Sequence, residues 1–586
     1  MLYPIQNDLR NKFDISGVWD FRIDPDGVGE EAGWFNGFDD ALPIAVPSSW
    51  NEQYADLFNY FGLAWYLKRT FIPRSWQGQR VFIRVGSACY FGTVYVNGIK
   101  VGSHEGGHLP FVFEITGLIQ WDAENVIAIS VENDLKPTRV PSGNMSSPLG
   151  FSGYPSTTFD FFPFAGIHRP VVLYSVPETF IDDVTVVTTL DGEHGIVTVT
   201  ARLNEPIQAI GNLTLKGNSQ PIEAELTFHN GVAEASLVIP SARFWSDKDP
   251  YLYDLTIRTD HDRYSLPIGI RIVEVKGSQI LLNGQAVQMN GFGRHEDFYA
   301  SGKGLNLPLL VKDYGLMRWT GANSYRTAHY PYSEEEMQLA DREGFLIINE
   351  IPAVSLQFDN EANMAERMRM CLQQIEELIT RDKNHPSVLM WCVANEPQPT
   401  GLKLAEIGTT DTNESVEWGK TFLERLIRHA RDLDATRLVT VVSVMGGPMQ
   451  WLDACDVICL NRYWGWYVYG GELDAGLATL ERDLDAHWEH HQKPIILTEF
   501  GADTMAGMHG NPALMWTEEY QASFIRGYLE VASRKAFVAG MQVWNFADFA
   551  AVQGVMRVAG LNMKGVFTRT RTPKMAVHVL REYWIE

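Results

Sequence analysis

At 586 residues the chain is too long for one ordinary core, and its 45% hydrophobic and 12% aromatic content excludes a disordered protein. Its 72 acidic residues against 48 Lys and Arg give a formal charge of −24, which excludes nucleic acid and anionic membrane as main partners. That field also repels anions at long range, so any anion site must carry its own cations. The five cysteines (Cys89, Cys371, Cys392, Cys455 and Cys459) have neither disulfide-scaffold nor zinc spacing and read as reduced thiols packed in cores. Residues Met1 to Asp8 lack a basic stretch leading into an apolar one, and no window approaches a membrane span, so the expected location is cytoplasmic.

Residues 1–178 read as all-β. Ala64–Phe71, Arg80–Val85 and Gly92–Gly98 are short strand-forming runs, and Asn97-Gly98 is a hairpin signal. Without helical periodicity, a jelly-roll β-sandwich is predicted. Residues 179–275 keep short strands, such as Gly195–Ala201 and Tyr251–Ile257, and predict an immunoglobulin-like sandwich without its disulfide. Over 276–586 apolar runs alternate with helical stretches such as Ala365–Arg381 and Val416–Ala430. Eight candidate strands, ending near Asn290, Tyr325, Asn349, Ala394, Ser443, Asn461, Thr498 and Trp544, predict a (β/α)8 TIM barrel with its site where the strands end.

The fourth of these strands runs Val-Leu-Met-Trp-Cys-Val-Ala into Asn395-Glu396, and the seventh runs Ile495-Ile496-Leu497-Thr498 into Glu499. A lone Glu after a strand is usually a solvated loop residue. Two of them at the same barrel mouth supply what glycosidic hydrolysis needs, one carboxyl to protonate the leaving oxygen and another to attack the sugar.

Denser signals lie around this pair. They include Asp160-Phe-Phe-Pro-Phe-Ala-Gly-Ile-His-Arg169, Asn290-Gly-Phe-Gly-Arg-His-Glu-Asp297, Arg326-Thr-Ala-His329-Tyr-Pro331, Arg381-Asp-Lys-Asn-His-Pro-Ser387, Asn461-Arg-Tyr463-Trp-Gly-Trp-Tyr467 and Trp544-Asn-Phe-Ala-Asp-Phe549. On these segments the whole chain resembles glycoside hydrolase family 2, and within it the members that act on β-glucuronides. The resemblance implies Glu396 as acid/base and Glu499 as nucleophile of a retaining double displacement, with the carboxyls ~5–5.5 Å apart. It further implies Asn395 on the sugar 2-hydroxyl, Tyr463 donating to Glu499, Asp160 on a loop reaching over the mouth, His329 and Tyr467 on the pocket wall, and Trp544 as its apolar floor. For Asp160 a turn cap, and for Trp544 plain barrel packing, are the bland alternatives.

Asn562-Met563-Lys564 resembles the family's uronate-reading Asn-x-Lys motif, and Arg557 offers a second cation. An ammonium and an amide in a dry pocket would recognise a carboxylate, and a neutral sugar would leave Lys564 unpaired. Ala559-Gly560-Leu561 makes the spacer after Arg557-Val558 one residue longer than in the family form, so Arg557 is expected to approach the site differently. The short run Gln357–Asn360 after the third strand lacks a long insertion carried by some bacterial relatives, implying an open mouth that tolerates bulky aglycones.

His487, His490 and His491 have a spacing that can bind metal on a helix, but they precede the seventh strand on a helix expected to face solvent, and no metal or cofactor is expected. The expected partner is a β-glucuronide small molecule or oligosaccharide, cleaved by an exo-acting retaining hydrolase, and the resemblance implies a homo-oligomer, as in tetrameric relatives. The alternatives are a β-galacturonidase or β-galactosidase on the same scaffold. A non-catalytic sugar-binding protein would have lost one of the two carboxylates.

Overall fold

The computed structural model describes residues 2–145, 156–217, 220–409 and 413–585; Met1 lies outside them. The N-terminal domain pairs two antiparallel sheets. One has four strands in the order Asn11–Asp14, Val171–Val176, Arg80–Val85 and Phe111–Glu114. The other has six, with Leu63–Thr70 and Asn125–Glu132 at its centre. Alternating apolar residues face inward from both, so Trp19, Phe21, Tyr66 and Ile129 of one sheet pack with Val81, Ile83 and Leu173 of the other. At Asn97-Gly98 both residues have positive φ (49° and 83°), the geometry of the two-residue turn joining Phe91–Val96 to Ile99–Glu105.

Between Val176 and Ile181 the chain enters a second sandwich of three and four strands, closed around Val197, Val199, Leu213, Leu226, Leu255 and Ile257. A three-stranded meander, Val273 to Ala286, then leads under the barrel, where Ile280 and Leu282 plug the base against Met289, Ile348 and Ile496. All five cysteines are buried and unpaired.

The barrel is closed by eight parallel strands: β1 Met289–Arg294, β2 Ser324–Thr327, β3 Leu346–Glu350, β4 Val388–Asn395, β5 Leu438–Ser443, β6 Ile458–Asn461, β7 Ile495–Glu499 and β8 Val538–Val543. Among the described residues seven helices flank it: α1 Leu307–Thr320, α2 Glu334–Glu343, α3 Glu361–Asp382, α4 Glu414–Leu433, α5 Leu473–His491, α6 Glu518–Ser533 and α7 Ala576–Ile585. Local chemistry sets their ends. Asn306, Ser333, Asn360, Asn413 and Thr517 cap N-termini through their side chains, and Gly321 and Gly344 take the left-handed conformation after α1 and α2. One departure from the predicted repeat occurs after β5, where the described residues form only a 3₁₀ turn, Met449–Leu452, before β6. Among the described residues no helix is long and apolar enough to cross a membrane.

The N-terminal domain reaches the barrel mouth. Phe162 N–H donates to the Ala550 carbonyl at 2.8 Å, and Phe161 pairs with Ala551. The three histidines of α5 divide. His487 is fully buried 2.9 Å from Arg462 Nη2, so that face of the helix packs on the barrel rather than facing solvent.

Candidate active site

β4 and β7 are buried along their whole lengths, which is why their sequences are continuous apolar runs. Glu499 is the last residue of β7. Glu396 follows β4 at φ +49°, its N–H anchored on the Val442 carbonyl of β5 at 2.8 Å. Asn461, ending β6, ties the two strands together. It accepts from Thr498 Oγ1 (2.9 Å), and its amide donates to Glu396 Oε1 (3.1 Å) and Asn395 Oδ1 (3.2 Å). These bonds fix the rotamer of Asn461 and aim Glu396.

Glu499 is gripped from two sides. Tyr463 OH donates to Oε2 at 2.6 Å, and Arg326 pairs with Oε1. Arg326 is wholly buried and also donates to Glu350 Oε2 at 2.5 Å. His329 stands between the same groups, with Nδ1 2.9 Å from Glu350 Oε1 and Nε2 3.6 Å from Glu499 Oε1. Its ring stacks on Trp544 at 4.9 Å and 19°. Burial alone would raise the Glu350 carboxyl, but the Arg326 guanidinium and the hydrogen bonds from His329 and Arg326 outweigh it and hold that carboxyl below its usual range.

The two carboxyls differ in surroundings. Burial, and then the Glu499 charge, push Glu396 up to about 8, while Asn461 and Arg326 oppose the rise only in part. Tyr463 is held well above its ordinary value by burial and by Glu499, so it is a donor throughout the physiological range. A protonated carboxyl therefore faces one braced by a cation and a phenol.

Charge collects in a second cluster. Asp160, from the N-terminal domain, accepts from Arg557 Nε and Nη2 (both 2.8 Å) and from Asn562 Nδ2 (2.7 Å). Lys564 is fully buried, bonded to Asp503 and, at 2.9 Å, to Tyr467 OH. Burial opposes its charge, but Tyr467 and Asp503 raise it above the ordinary lysine value. Arg557 Nη1 is buried without a hydrogen-bond partner and lies 3.8 Å from Asp503 Oδ2. In the spacer after Arg557-Val558, Ala559 and Gly560 turn with positive φ (54° and 69°).

A cavity of about 400 Å3 joins the two clusters. Asp160, His329, Asn395, Glu396, Tyr463, Tyr467, Glu499, Trp544, Arg557 and Asn562 line it, together with Leu404, Val444 and Met445 on the Glu396 side. Of the residues predicted from sequence, only Lys564 is missing from the wall. It stands behind Tyr467, and it is not unpaired without substrate, because Asp503 already neutralises it. Arg326, Glu350, Asn461 and Asp503 were missed. Arg326 and Asn461 lie inside the segments that carried the family resemblance, and Asp503 lies four residues after Glu499, which was the available signal; Glu350, at the end of the third strand, lies outside all of those segments.

Two carboxyls at the mouth of a β/α barrel, one of them with its proton affinity raised by burial, are the equipment of a glycoside hydrolase. Residues 273–586 match Glycosyl hydrolases family 2, TIM barrel domain; residues 13–177 match the family's sugar binding domain, and 179–271 match Glycosyl hydrolases family 2. The chain belongs to glycoside hydrolase family 2 and is an enzyme of that family. It is 39% identical to a Paenibacillus borealis protein named Beta-glucuronidase, over 100% of this chain and 99% of the other. Among solved structures it resembles an uncultured Clostridium sp. Beta-glucuronidase (TM-score 0.92, 35% identity, 100% of this chain and 99% of that one). It also resembles the Ruminococcus gnavus b-glucuronidase in complex with D-glucuronic acid (TM-score 0.90, 34% identity, 99% of each chain).

Proposed function

We propose that the chain is a retaining exo-β-glucuronidase, releasing glucuronic acid from the end of a β-glucuronide by double displacement. The observation that carries this reading is one cavity with paired carboxyls at one end and Arg557 and Asn562 at the other, backed by buried Lys564 behind Tyr467. Glu499, oriented by Tyr463 and Arg326, attacks the anomeric carbon while Glu396 gives its proton to the leaving oxygen. Glu396, now ionised, takes a proton from the water that hydrolyses the glycosyl-enzyme. Asn395 meets the sugar 2-hydroxyl, and Trp544 and His329 form the floor. The uronate carboxylate takes the orphan Nη1 donor of Arg557, and Lys564, held charged behind Tyr467, adds positive charge to that end of the site. Asp160, tied to Arg557 and Asn562, closes that end of the cavity, so only a terminal sugar fits.

The leaving group exits past Leu404, Val444 and Met445, and the short 357–360 run leaves the mouth open to bulky aglycones; equal or better turnover of small glucuronides would count against this. The proposed assembly and location are a homo-oligomer in the cytoplasm, tested by light scattering and by cell fractionation. The deciding experiment offers purified protein the chromogenic β-glucuronide, β-galacturonide, β-glucoside and β-galactoside. The glucuronide should be turned over fastest and Glu499→Gln should abolish turnover. Preference for a neutral glycoside would overturn the assignment of the cation cluster.

A further inference from the structure

The histidines of α5 gain a partner that sequence spacing did not reveal. With His487 turned inward, His490 and His491 at the end of the helix converge on Asp453, which follows the 3₁₀ turn before β6. His490 Nε2 lies 3.1 Å and His491 Nδ1 3.5 Å from the same oxygen, Asp453 Oδ1, and donor atoms of the three side chains all fall within 4.8 Å of one another. An ion held by imidazole and carboxylate at ~2.0–2.1 Å in a tetrahedron sets its donors ~3.3–3.4 Å apart, so both His–Asp separations already match. The remaining gap closes by rotation of His490, whose side chain is 36% exposed.

We propose that Asp453, His490 and His491 form a binding site for a divalent transition-metal ion of the zinc class. Two imidazoles with one carboxylate are a borderline donor set that suits Zn2+ and disfavours Ca2+ or Mg2+. His491 is the rigid member: its side chain is 1% exposed and its Nε2 has no hydrogen-bond partner, so no other protein group claims the ring. The carbonyl end of α5 adds partial negative charge. Lys493 is the nearby cation, and its ammonium is held by the Asp453 and Cys455 carbonyls, both at 2.7 Å. Asp453 and His490, both partly open to solvent, leave room for water as a fourth ligand. The site lies where chains enter β6 and β7, at the barrel end opposite Glu396 and Glu499. Its ion would clamp two successive βα units and take no part in hydrolysis.

The test uses the full chain freed of metal by chelation and titrated calorimetrically with Zn2+ alone, beside the Asp453→Asn/His490→Gln double variant. Both substitutions are on exposed side chains and leave buried His491 in place. Wild type should bind one more equivalent than the variant, or bind at least tenfold more tightly, and Zn2+ should raise the melting temperature of wild type more. Co2+ should give visible d–d absorption in wild type that is lost in the variant. Equal Zn2+ titrations and equal melting shifts in the two proteins, or no binding by wild type, would overturn the proposal.

Discussion

Raising the pH should switch this enzyme off through Glu396, and the size of the effect follows from its surroundings. A carboxyl at its ordinary value of 4.5 would be protonated in only about 0.3% of molecules at pH 7, whereas one at about 8 is protonated in about 90%, a gain of roughly 300-fold in the form that acts as acid. The sign is set by a raised affinity: Glu396 holds its proton below about 8 and loses it above, so the acid form fails on the alkaline side. Measured as kcat/KM for a chromogenic β-glucuronide from pH 5 to 10, the rate should halve near pH 8 and then fall about tenfold per unit. Glu396→Gln should remove that limb and retain more activity on activated phenolic glucuronides than on alkyl ones. A profile flat to pH 9.5, or an unchanged alkaline limb in Glu396→Gln, would refute the reasoning.

Three further outcomes are expected. Tyr463→Phe removes a 2.6 Å bond to Glu499; a hydrogen bond to a charged group contributes ~1.5–3 kcal/mol, so kcat should fall about 10- to 150-fold with little change in KM. Lys564→Ala should lower kcat/KM for the glucuronide by about 30-fold or more while sparing the glucoside, and an equal loss on both would mean a structural role for the lysine. Asp503→Ala leaves Lys564 charged and buried without its anion, which should cost about 3–5 kcal/mol in urea unfolding; a loss below about 1 kcal/mol would remove Asp503 as its counterion.

Local chemistry was legible in the chain itself. Unbroken apolar runs ending in Glu396 and Glu499 announced buried parallel strands, and short strand-forming runs without helical periodicity announced the two sandwiches. Asn97-Gly98 marked a turn, because that effect acts within a few residues. Contacts across the fold were beyond that reach. The Arg326–Glu499 pair spans 173 positions, and the Asp160–Arg557 pair spans 397 and joins two domains. Periodicity placed His487, His490 and His491 on α5 but not which side meets the barrel, since a helix repeats its pattern without naming its neighbour.

The sequence by itself determined which groups are candidates for the chemistry: two carboxyls at strand ends, and an Asn-x-Lys offering the cation that an acidic protein must provide locally for an anion. Only the tertiary structure decided how they are set. It raised Glu396 by burying it beside Glu499, placed Lys564 behind Tyr467 against Asp503, and put Arg557 on the wall. Proton affinity and charge pairing depend on dielectric and distance, and both exist only once remote segments have packed together.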